Sequence, residues 1–159
     1  MTGTPLQDSA ALLWEEARMQ LDRQAASLDS LRSRALAMLS VSASVAGFFG
    51  SQLPSGHQSA RVILAVVAAL VFFAVTVGLA LVVLIPKRDA WHFAHFLGPW
   101  FAKIDAKNLT PIDVTFRLAQ HFEGYRIENK TKLERLYRCL SAICILVGLQ
   151  VVVWVVAVV

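Results

Sequence analysis

The chain has 159 residues, 57% of them apolar and 16% charged, with a formal net charge of +4. That mixture excludes an ordinary soluble domain, in which about a quarter of the residues are charged, and points to a membrane protein. A hydrocarbon core of about 30 Å is crossed by about 20 apolar residues in a helix. Three runs without formal charge have that length, at 35–53, 62–85 and 139–159.

From about Asp8 onward, steps of three and four connect Ala10, Trp14, Ala17, Leu21, Gln24, Leu28, Leu31, Ala35 and Met38 into one helical stripe. No proline or glycine falls between Pro5 and Gly47. One unbroken helix of about 45 residues, nearly 70 Å at 1.5 Å per residue, is therefore expected to lead from segment 1–34 into the first apolar run.

Arg32 and Arg34 stand immediately before that run, which is rich in small residues. Ser40, Ser44, Gly47 and Ser51 follow one another at steps of four, three and four, so they share one helix face. Ala43 with Gly47 and Ala46 with Gly50 add small-xxx-small pairs on adjacent faces. A close-packed neighbouring helix needs such a stripe, and so does a narrow aqueous path in which hydroxyls replace part of an ion's hydration. The spacing does not decide between the two. Phe48 and Phe49 near the far end are candidates for a hydrophobic constriction, or for lipid-facing side chains.

PSGH at 54–57 supplies a turn, so 54–61 is read as a short external link. The second run, 62–85, returns the chain, and Pro86, Lys87 and Arg88 mark its exit. Residues 89–104, DAWHFAHFLGPWFAKI, crowd five Trp and Phe into a segment suited to the inner membrane surface. His92 and His95 within it are three apart, a spacing too weak by itself to imply a metal. NLTPID at 108–113 is a helix start: Thr110 as N-cap, Pro111 at the first helical position, Asp113 in the first turn. A second stripe, through Leu118, Phe122, Tyr125, Asn129, Leu133, Leu136 and Leu140, then leads into the third apolar run. Cys139 and Cys144 read there as small packing residues, and Gln150 as the run's one strongly polar side chain, bonded to a neighbouring helix.

Residues 1–34 hold four Lys or Arg and 86–138 hold ten, whereas 54–61 holds only Arg61. The excess of positive charge on the inner side of membranes then places the N-terminus and 86–138 in the cytoplasm and the C-terminus outside. The first 30 residues lack an apolar core behind a basic start, so the first span is expected to act as its own insertion signal. The expected fold is an all-α membrane protein with three transmembrane helices, at 35–53, 62–85 and 139–159. The first and third continue as long cytoplasmic helices that form a stalk. Seams of this kind bury only against each other or against copies of the chain, which predicts an oligomeric bundle.

Arg117, Arg126, Lys130, Lys132, Arg135 and Arg138 make a basic row that suits an anionic nucleotide, an oligonucleotide or lipid headgroups. Glu128 with Lys132 and Glu134 with Arg138 are four apart and form helix-surface pairs. No phosphate loop, nucleophile elbow or paired-carboxylate motif appears, so neither an enzyme nor a cofactor or metal is expected, and duplex nucleic acid is not an expected partner.

LDSLRSRALAMLSVSASVAGFFG at the first span, two closely spaced spans, and NKTKLERLYRCLSAICILVGLQVVVW at the end together resemble the small bacterial membrane effectors of the SLATT and Pycsar-effector type. The likeness covers most of the chain and lies in layout and helix texture. It implies a role in abortive anti-phage defence at the bacterial inner membrane, as an oligomer that permeabilises it under control of a nucleotide signal or a partner nucleotidyltransferase. No separate sensor domain is read in these residues, which leaves the cytoplasmic helices as the expected receiver.

Two functions follow as expectations. The first is a homo-oligomeric pore with the first span near its axis and Arg32 and Arg34 ringing the cytoplasmic mouth, where they favour anions. The second is a non-conducting membrane scaffold whose stalk binds a soluble partner.

Overall fold

The computed structural model describes residues 5–53, 59–85, 91 and 110–158, and within these the chain is all-helical. Helix α1 covers Pro5–Ser51, α2 covers Ala60–Leu84, and α3 covers Pro111–Val158. Each contains a stretch long and apolar enough to cross a membrane. The external turn read at 54–57 and the aromatic run at 89–104, with His92 and His95, lie outside the described residues apart from the half-buried Trp91.

Local chemistry accounts for the helix ends. At the start of α3, the Asp113 amide donates to the Thr110 hydroxyl oxygen at 3.3 Å. The Asp113 carboxylate in turn accepts from the Thr110 amide at 3.3 Å and from its hydroxyl at 2.6 Å. This reciprocal cap satisfies amides that the first turn leaves without helical partners. Ser59 caps α2 by accepting from the Val62 amide at 3.5 Å, and the Ile85 amide closes its last turn onto the Leu81 carbonyl at 2.9 Å. Gly47 and Gly50 lie inside α1 without interrupting it.

The chain divides into two compact units, one of Met1–Leu28 with Lys87–Leu133 and the other of Asp29–Pro86 with Glu134–Val159. In the first, α1 and α3 meet along the two stripes. Leu21, Leu28, Phe122 and Leu133 are buried, and Trp14 stacks on Phe122 with ring centroids 4.7 Å apart. The Gln24 side-chain amide donates to the Arg126 carbonyl at 3.0 Å, tying the two helices at a polar position of the seam.

The second unit is a three-helix core in which two apolar clusters stand out among the described residues. In one, Ala80 of α2 meets Ile143 and Val147 of α3, with Met38 and Leu39 of α1 packed against them. In the other, Ala69 meets Trp154 and Ala157, with Val45 and Phe49 alongside. The pairings show α1 and α3 running in one direction and α2 in the other, as a span, a return and a third span require. Alanines on α2 are what let the three backbones approach.

Candidate functional site

Between the two clusters the core changes chemistry. Ser42 lies between Leu39 and Val45, Thr76 between Ala69 and Ala80, and Gln150 between Val147 and Trp154, so three polar side chains from three helices occupy the intervening layer. All three are fully buried. The Ser42 hydroxyl donates to Gln150 Oε1 at 2.5 Å, and Gln150 Nε2 donates to the Ser42 carbonyl at 3.2 Å. Thr76 Oγ1 has no hydrogen-bond partner among the described residues. Gln150 thus has the helix partner expected of it. Neither that partner nor Thr76 was anticipated, because Ser42 stands off the stripe formed by Ser40 and Ser44. The available signal was isolation: Thr76 is the lone polar side chain of α2 beyond Arg61, as Gln150 is the one strongly polar side chain of its own span.

The stripe itself faces the other way. Ser40, Ser44, Gly47 and Ser51 are all exposed, roughly opposite Ser42 on the helix. A methyl group built on Gly47 or Gly50 would meet nothing within 4 Å. The small face is therefore not used to pack α1 on the described helices. Its hydroxyls turn inward to the backbone: Ser40 donates to the Leu36 carbonyl at 3.0 Å, Ser44 to that of Ser40 at 2.9 Å, and Ser51 to that of Phe48 at 2.7 Å. The outer surfaces of α2 and α3 expose bulky side chains, among them Leu64, Val67, Val71, Ile145, Val152 and Val156, beside the smaller Gly78, Ser141, Cys144 and Gly148. Bulky side chains suit lipid tails, whereas a bare, small face leaves room for a backbone or for water.

Phe48 and Phe49 separate. Phe48 is exposed, and Phe49 stacks on Trp154 at 6.3 Å with the rings nearly parallel. One is therefore free to face a lumen, a neighbour or lipid, and the other belongs largely to the core.

Arg32 is half-buried and lies 3.5 Å from Asp29, whereas Arg34 is exposed. In the basic row, Arg126 is held by Glu123 through a two-pronged ion pair, one arm of which measures 2.7 Å. The hydrogen bond from Arg126 lowers the Glu123 carboxyl below its ordinary range and raises the guanidinium. Lys132 pairs with Glu128 at 2.6 Å, as its spacing predicted, whereas Glu134 and Arg138 at the same spacing form no ion pair among the described residues. Arg117, Lys130, Arg135 and Arg138 are exposed. The row is therefore divided between internal pairs and outward cations.

The first unit also carries an open groove of about 380 Å³ between α1 and α3, with Leu13, Ala17, Phe116 and Ala119 along its apolar part and Glu16 and Glu123 among its polar lining. Its charge is the wrong sign for a nucleotide phosphate. Among the described residues, no group of three or more His, Cys, Asp or Glu side chains is placed to hold a metal ion. Cys139 is half-buried and Cys144 exposed, both as free thiols.

No family model, curated protein or solved structure matches this chain.

Proposed function

We propose that the chain is a homo-oligomeric, pore-forming membrane protein of the bacterial inner membrane, with α1 near the axis of the assembly. The observation that carries this reading is the outward small face of α1. It brings three serines and a glycine together as one exposed stripe, and the described helices do not pack on it. A face of this kind in a bilayer calls for something that approaches closely, and copies of the same chain supply it without any further component. Orientation with the N-terminus inside rests on the distribution of Lys and Arg. The role in abortive anti-phage defence rests on the resemblance of layout noted above, with a nucleotide signal or a nucleotidyltransferase partner acting on the cytoplasmic helices as gate and receiver. A phosphate-bearing signal fits the exposed cations Arg117 and Lys130 better than the acidic groove.

Ion flux through the purified protein in liposomes tests the pore. Conduction with anion preference, reversed by Arg34→Glu, is the expected result. Flux and selectivity unchanged by that substitution would remove Arg34 from the mouth, and absence of flux under every condition would leave the scaffold. One observation is met equally by that second reading. The hydroxyls of Ser40, Ser44 and Ser51 are already bonded to their own backbone, an arrangement that suits a dry helix contact as well as it suits a wet path.

A further inference from the structure

The second unit carries an unusual concentration of arginine at one end. Met38 and Leu39 of α1 pack beside Ile143 of α3 and Ala80 of α2. One helical turn of about 5.4 Å beyond that cluster are Arg34 on α1 and Arg138 on α3. On α2 the same step leads to the helix end at Leu84 and Ile85. Arg135 is a turn further along α3, and Arg32 half a turn further along α1. Four arginines thus stand in one layer, directly outside apolar runs long enough to fill a bilayer core.

Two further features fit this layer to a membrane surface. Tyr137 projects from it, 46% exposed, a side chain that favours the headgroup region with its ring in the apolar boundary and its hydroxyl in water. The acidic residues of this unit are Asp29 and Glu134 alone, and Asp29 is engaged by Arg32. Arg34, Arg135 and Arg138 are left facing out, opposed by a single exposed carboxylate. The other end of the unit has only Arg61. Arginine rather than lysine occupies every one of these positions, and its planar fork matches two oxygens of a phosphodiester.

We infer that Arg135 and Arg138, with Tyr137, form a binding belt for the phosphodiester headgroups of anionic phospholipids in the leaflet at this end of the unit. This goes beyond the pore reading and holds whether or not the protein conducts. It separates the basic row in two: Arg135 and Arg138 serve lipid, and Arg117 and Lys130 remain for any soluble ligand.

The test uses the full-length, delipidated protein in neutral detergent, titrated with phosphatidylglycerol or phosphatidylcholine while bound lipid is counted by native mass spectrometry. Phosphatidylglycerol should bind in clear preference. In the Arg135→Gln/Arg138→Gln variant the preference should fall about 30-fold, each arginine at an anionic surface contributing about five-fold. Arg61→Gln should leave it unchanged, and Arg135→Lys/Arg138→Lys should keep most of it. Equal binding of the two lipids by the unaltered protein overturns the inference, and this readout needs no variant to fold. An equal loss in Arg61→Gln also overturns it, because the effect would then be one of net charge. Displacement of phosphatidylglycerol by millimolar inorganic phosphate would assign the belt to a free anion, against the lipid proposed.

Discussion

Ser42 and Gln150 hold each other through two hydrogen bonds at full burial, one between side chains at 2.5 Å and one from the amide to the serine carbonyl at 3.2 Å. The pair fixes register. Slipping α3 by one turn along α1 would bring the Gln150 amide opposite apolar side chains of either cluster, with nothing to bond. Polar contacts between membrane helices are worth about 0.6 kcal/mol on average and up to about 1.7 kcal/mol. A double-mutant cycle on Ser42→Ala and Gln150→Leu, read by unfolding in mixed detergent, should therefore return a coupling of about 1 kcal/mol. Strictly additive single substitutions would show that the two residues do not stabilise each other.

The same pair illustrates what was legible beforehand. Gln150 announced itself, because an amide in an apolar run must bond something. The helices were also legible: two long uninterrupted stripes and one apolar run became α1, α3 and α2, and the Thr110 to Asp113 cap formed where its residue types said it would. What the spacing of Ser40, Ser44 and Gly47 left open was which side of α1 they occupy. That depends on which side of α1 is buried through Leu31, Ala35 and Met38, a tertiary fact that a small-residue count does not contain.

Phe122 is the aromatic anchor of the first unit, buried and stacked on Trp14. Truncation to alanine should cost about 3 kcal/mol of local stability through lost burial and the void left behind. Hydrogen exchange across α1 up to Leu28 and α3 up to Leu133 is the measurement. Protection there should fall by at least two orders of magnitude, with exchange around Ile143 unaffected. Equal loss in both would mean that the units do not unfold separately.

Acid should loosen the start of α3. The Asp113 carboxyl is lowered below its ordinary value, first by its hydrogen bond from the Thr110 hydroxyl and then by that from the Thr110 amide. A depressed carboxylate stabilises the fold above its unfolded value and loses that contribution as pH falls through the folded one. The protection of the first-turn amides of α3, measured against their intrinsic exchange rate at each pH, should therefore be highest at neutral pH and fall as pH drops below the ordinary carboxylate range. Asp113→Asn should remove the pH dependence. Thr110→Ala should cost about 1 kcal/mol at neutral pH, the usual loss for an N-cap. A flat profile in the unaltered protein would show that the cap does not hold this end.

Gly47 offers the cleanest separation between what the chain needs for itself and what it offers to others. A Cβ added there meets nothing within 4 Å, and a helix interior gains about 1 kcal/mol when glycine gives way to a better helix former. Ser44 is exposed on the same face, and its hydroxyl bonds only its own helix. The Ser44→Leu/Gly47→Leu variant should accordingly keep the thermal stability of the single chain, in contrast to Ser42→Leu, which places a bulky group inside the three-helix core. Any defect in the double variant is then intermolecular. Loss of the oligomer in detergent, seen as a shift to the monomer mass, would identify this face as the contact between copies. An intact oligomer that no longer passes ions would place the face on the axis. An intact, conducting oligomer would exclude both uses and return the face to lipid. The monomer-stability control distinguishes these outcomes from simple misfolding, because the described helices make no contact across that surface.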